Sequence, residues 1–115
     1  MDTKLTCSAG ALLATWSSHE WREGVQLETM RDMDQLVVRT ENSTYEITVI
    51  SPEMGEILVR GGRFFPEFTP ARLAGSSLGG SFLKLRGIYV GFNLEIHVGR
   101  NLIVTSRVSK ISLAA

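Results

Sequence analysis

The chain has 115 residues, and its twelve basic side chains balance its twelve acidic ones. A net charge near zero excludes any general attraction to nucleic acid or to acidic membranes, so such binding would need a local basic patch. One cysteine, Cys7, and two histidines, His19 and His97, leave no pairing for a disulfide and no spacing for a metal centre.

At this length the chain is expected to hold one folded domain, preceded by an arm over residues 1–34. The stretch from Leu5 to Trp16 is mildly apolar but broken by Thr, Ser and Gly, and Asp2 cancels Lys4. It makes a poor export signal, so a cytoplasmic location is expected. Leu12, Leu13 and Trp16 are spaced for a short helix with one apolar face. No run of 18 apolar residues occurs, so no spanning helix and no membrane association are expected.

From residue 35 the pattern changes to period two, which spans 35–115. Gln35 to Thr40 is rich in β-branched residues, and in Thr44 to Ile50 the residues Tyr45, Ile47 and Val49 share one face. Glu41-Asn42-Ser43 joins the two as a hairpin. Ser51 to Gly55 is a second turn, after which Glu56 to Arg60 returns antiparallel. These three segments predict a meander.

Arg60 to Ser81 reads RGGRFFPEFTPARLAGSSLGGS. Its glycines and two prolines predict a long connection, with Thr69-Pro70 opening a helical turn over Ala71-Arg72-Leu73. Gly61-Gly62, at a strand end, is a bulge or sharp corner in preference to an anion nest. Gly75 to Ser81 lacks the Lys-Ser/Thr ending of a phosphate loop, and its small residues suit close packing against a neighbour. Phe64 and Phe65 cannot both face the same side of a strand, so one ring points outward.

Beyond it, Phe82 to Leu85 is expected as a strand and Gly87 to Gly91 as a turn. Leu94, Ile96 and Val98 point inward, with Glu95 and His97 outward. Gly99-Arg100-Asn101 turns into strands over Leu102 to Ser106 and Val108 to Leu113. Turns about every ten residues, with no crossover helix, predict an all-β fold: a small antiparallel barrel or sandwich of six to eight strands.

No serine can be placed beside a His and an Asp by spacing, so an enzyme is not expected, nor is a cofactor or metal. Two binding readings remain. Phe64, Phe65 and Phe68, with apolar residues on both faces of Val37-Val38 and Ile103-Val104, suit self-association as a homo-oligomer or contact with another protein. Arg60, Arg63 and Arg72 around the glycines suit a phosphate-bearing nucleotide or single-stranded nucleic acid, the less favoured alternative.

Two resemblances add to these readings. NSTYEI, the Arg60 to Ser81 segment and GFNLEIHVGRNLIVTSRVSKI resemble a group of small bacterial β-domain proteins of unassigned activity, over residues 35–112. That resemblance implies a bacterial origin and a compact β-domain, and carries over no functional residue. LAGSSLGGSFL (Leu73 to Leu83) is similar to the DxSxxG turn of PilZ domains, β-barrels that bind cyclic di-GMP. It implies Arg60, Arg63 and Ser77 as phosphate and base contacts. Arg60-Gly-Gly-Arg63 is one residue short of the RxxxR partner motif, and Gly75 stands at the acidic position.

Overall fold

The computed structural model describes residues 23–78 and 81–113. The all-β expectation holds. The strands are β1 (Gly24–Gln26), β2 (Gln35–Thr40), β3 (Thr44–Ser51), β4 (Glu56–Gly61), β5 (Phe65–Leu78), β6 (Ser81–Leu85), β7 (Gly87–Tyr89), β8 (Asn93–Val98) and β9 (Asn101–Leu113). One 3-10 turn covers Leu27–Thr29, and no α-helix occurs among the described residues. The nine strands among the described residues exceed the expected range because β1 and β7, three residues each, pair with one another outside the main sheet.

The main sheet runs β4-β3-β2-β9-β8-β5-β6, and β4 also pairs with β5. Six strands therefore close into an antiparallel barrel, while β6 lies outside the ring on β5. Closure removes most of the free edge that an open sheet would expose. The period-two pattern explains the interior. Leu36 and Val38 of β2, Tyr45, Ile47 and Val49 of β3, Ile57 and Val59 of β4, and Leu94 and Ile96 of β8 are all buried in one core.

The Arg60 to Ser81 segment is not a connector. After a tight turn at 62–64 it forms β5, fourteen residues long, and Thr-Pro-Ala-Arg-Leu is extended rather than helical. The prolines misled because a proline cannot donate to a ladder. They are tolerated here because the first half of β5 has a strand on one side only. It pairs with β4 up to Arg72, and β8 begins to pair at Arg72.

On its β4 side, β5 then exchanges one partner for another. Leu73 N–H donates to Gly55 O at 2.8 Å, Arg86 N–H donates to Ala74 O at 2.9 Å, and from Gly75 onward the neighbour is β6. Gly75 sits in the bulge at the exchange with φ +148°, and a Cβ there would collide with the Lys84 carbonyl oxygen. The expected close packing of this glycine-rich stretch is met at Gly75. A register shift between Val59 and Gly61 likewise meets the bulge expected at the Gly61-Gly62 pair.

Two further expectations change. The strands foreseen at 102–106 and 108–113 are one strand, β9, which pairs with β8 through Arg107 and with β2 from Val108. The boundary at residue 35 also moves, because the segment from residue 23 belongs to the domain. β1 pairs with β7, Leu27 is fully buried in the core, and Leu27 N–H donates to Arg86 O at 2.9 Å. Met33 N–H and Asp34 O both bond to Val49. The helix expected around Leu12, Leu13 and Trp16 lies outside the described residues.

Docking by Leu27 has a measurable consequence. Leu27→Ala removes a fully buried side chain and should cost about 3 kcal/mol in urea unfolding. A cost below about 0.5 kcal/mol, as at an ordinary surface position, would show that the segment is not part of the core.

Candidate functional site

The barrel separates the residues that the sequence grouped together. Arg60 on β4 lies opposite Glu46 on β3 and binds it through both Nε and Nη2, at 2.8–3.1 Å. Its guanidinium carbon also lies 4.4 Å from the centre of the Phe68 ring. The hydrogen bonds to Glu46 raise the already high pKa of Arg60. Two partners thus occupy this arginine.

Two of the expected surface residues are interior. Phe65 is 1% exposed and meets Tyr45 edge-on, with ring centroids 6.4 Å apart. The outward ring of the pair is Phe64, 57% exposed. Phe65 therefore leaves the interaction surface, because its position on β5 faces the core. Ser77 is fully buried, and its Oγ has no hydrogen-bond partner. It lies beyond the reach of a ligand in solvent.

Arg63 and Phe64 stay together at the β4–β5 turn. They line a cleft of about 450 Å³ with Asn42, Tyr45, Val104 and Thr105. Gly62 makes this possible. Its φ is +61°, and a Cβ there would lie 2.9 Å from the Tyr45 ring and hydroxyl, so only glycine lets the turn lie flat on Tyr45. Hydroxyls hold the opposite rim. Ser106 Oγ donates to Thr40 Oγ1 at 2.8 Å and accepts from Asn42 N–H at 3.1 Å. The cleft joins a cation, an exposed aromatic ring and amide and hydroxyl groups on one concave surface.

Arg72 lies elsewhere. It lines a cleft of about 570 Å³ on the outer face of the barrel, with Glu56, Leu58, Pro70 and His97. His97 was read from the sequence as a plain outward position. Outward alternation was the available signal, but its register opposite Arg72 was not visible. Tyr45, Asn42 and Val104 were also missed as cleft residues.

A third polar cluster closes the end where β1 meets β7. Arg86 Nη2 donates to Glu28 Oε2 at 3.0 Å, and Gln26 Nε2 donates to Glu28 Oε1 at 3.1 Å. Among the described residues no group of three or more His, Cys, Asp or Glu side chains could hold a metal ion. No protein-family model, curated protein or solved structure matches this chain.

The cluster at Glu28 carries a pH dependence. Burial pushes the Glu28 pKa up, but hydrogen bonds from its own backbone N–H, Arg86 and Gln26 outweigh this and leave it below the ordinary value of 4.5. A depressed carboxyl stabilises the fold above its unfolded pKa, and that contribution is lost as pH falls through the folded value. The side chain is 38% exposed, so solvent screening limits the contribution to about 0.5 kcal/mol. Urea unfolding at pH 7 and pH 3 should therefore show a smaller acid loss for Glu28→Gln than for the parent. An equal loss would assign the acid sensitivity to other carboxylates.

Proposed function

We propose that this chain is a non-enzymatic β-barrel that acts through protein contact, as a homo-oligomer in the bacterial cytoplasm. The observation that carries this reading is an exposed apolar surface beside an open strand edge. Phe64 is 57% exposed, Val104 44% and Leu102 49%. Phe64 and Val104 line one cleft, and Leu102 lies two residues from Val104 on the same face of β9. Over Asn101–Thr105, β9 pairs with β8 alone among the described strands, because β2 begins to pair at Val108. An apolar strand with a free edge is a template for another strand. The partner is a second copy of this chain. Asn101 to Ser106 holds no charged side chain, so two such edges can lie antiparallel about a two-fold axis with no charges opposed within that stretch; Arg100 and Arg107 flank it.

A second reading has its own support. Arg63, without an ion pair or hydrogen bond among the described residues, lies beside the exposed Phe64 and suits a phosphate-bearing nucleotide or single-stranded nucleic acid, with the guanidinium on phosphate and the ring under a base. Arg60, Arg72 and Ser77 take no part in this version, because they lie in other surroundings. Among the described residues no helix is long and apolar enough to cross a membrane.

Multi-angle light scattering separates the two readings. The parent should give twice the 12.7 kDa chain mass at micromolar concentrations. Leu102→Lys and Val104→Lys should weaken the dimer by at least about tenfold, with an unchanged melting temperature at dilutions where the parent has dissociated. A monomer at every concentration would overturn self-association. In that case, binding of nucleotides or short oligonucleotides that Arg63→Ala abolishes would establish the second reading.

A further inference from the structure

The outer cleft at Arg72 has a composition that the contact reading does not use. On the outer face, strand pairing sets Glu56 of β4 opposite Arg72 of β5, and Arg72 opposite His97 of β8. Two residues along, Leu58 lies opposite Pro70. Beyond that, Arg60 covers Phe68. The middle row is therefore low and apolar. Pro70 is a flat ring, and Gly99 at the β8–β9 turn adds no side chain. Ile50 supplies an apolar end wall on the β3 side. The result is a cleft of about 570 Å³ with an apolar floor and one polar wall. That volume is within the usual range for a small-molecule site, and a few polar groups over an apolar base is the usual composition.

The charges on the wall are uncommitted. Glu46 and Arg60 are cross-strand partners, and they close into a bidentate pair at 2.8 Å. Glu56 and Arg72 have the same cross-strand relation, yet among the described residues they form no ion pair or hydrogen bond with each other or with any other side chain or backbone group. His97 has no hydrogen-bond partner among the described residues either. Arg72 thus presents a planar fork of donors above an apolar floor, with an imidazole beside it. A guanidinium fork matches the oxygens of a carboxylate or phosphate, and it is more weakly hydrated than an ammonium.

We propose that this cleft binds a small organic oxyanion, a carboxylate or phosphate monoester with an apolar body. Arg72 takes the oxyanion through its fork, and His97 donates beside it. The apolar body covers Leu58 and Pro70 and ends against Ile50. Glu56 opposes the anion and keeps the affinity moderate. The cleft shares no lining residue with the Phe64 cleft and meets the self-association surface only where His97 lies opposite Leu102, so the titration is run on the parent and on Val104→Lys, and a loss of self-association alone leaves the anion shifts in place.

Amide proton–nitrogen correlation spectra test it, with benzoate and phenyl phosphate as probes and benzyl alcohol as their neutral counterpart. At least one anion should give saturable shifts centred on Leu58, Arg72 and His97, and the anion that saturates first identifies the preferred head group. Benzyl alcohol should bind at least about tenfold more weakly. Arg72→Ala should abolish the anion shifts with an unchanged melting temperature, because Arg72 is exposed and unpaired. Arg72→Lys should bind at an intermediate level, and Glu56→Gln should bind more tightly than the parent. No saturable shift with either anion, equal binding of the alcohol, or full binding by folded Arg72→Ala would each overturn the proposal.

Discussion

The structure depends on β5 serving two neighbours along one edge. Its first half pairs with β4 and closes the ring, and its second half pairs with β6. Without the first pairing the sheet would be open, with β4 as a bare edge. Without the second, the chain would have no route to β7, and β1 would have nothing to pair with. Both arrangements meet at Gly75, where the bulge and the close approach of the Lys84 carbonyl leave no room for a side chain. The next inward residue completes the junction. Ser76 Oγ donates to Gly87 O at 2.8 Å and accepts Tyr89 N–H at 3.1 Å, which ties β5 to β7 through a fully buried hydroxyl. A buried polar group of this kind is worth little when satisfied and costs much when orphaned, so it specifies the junction more than it strengthens it.

The outer face follows from the same strand. Its successive outward positions are Phe68, Pro70 and Arg72, and each meets a different side chain on β4. Phe68 lies under Arg60, Pro70 opposite Leu58, and Arg72 opposite Glu56. The two glutamate–arginine relations differ for a physical reason. Arg60 has the Phe68 ring against one face of its guanidinium, and the carboxylate of Glu46 takes its N–H edge. Arg72 has flat Pro70 two residues along on the same face, and no aromatic ring contact among the described residues. A surface ion pair gains little by itself, so without a third group to fix the geometry the second pair does not form.

The residues legible in the sequence were those whose pattern is local. Tyr45, Ile47 and Val49, or Leu94 and Ile96, declare a half-buried strand by alternation alone, and each is buried. Phe64 and Phe65 had to part, and they do. The illegible portions depended on partners distant in sequence. Pro66 and Pro70 look like loop residues until β8 is known to stop short of them. Arg107 looks like a break between strands until β9 is known to pass from β8 to β2. The sites were harder still. Arg60, Arg63 and Arg72 are close in sequence but face three different surroundings, whereas Arg72 and His97 are far apart and become neighbours by register. A shift of one residue would have turned either side chain to the other face.

Register also joins the two surfaces. His97 lies opposite Arg72 on one side and opposite Leu102 on the other, so Arg72, His97 and Leu102 form a continuous outward row across β5, β8 and β9. The row grades from a cation, through an imidazole, to an apolar side chain that is 49% exposed. A second copy seated on Leu102 would border His97, and an anion held by Arg72 and His97 would lie against that border. Two binding events on neighbouring residues would be coupled through their border, and such a coupling is reciprocal: whatever the anion did to self-association, self-association would do to the anion. Its sign depends on whether the partner covers His97 or only approaches it. Because β8 is held on both sides by the closed ring, the coupling would pass through direct contact at His97, with no movement of the barrel required.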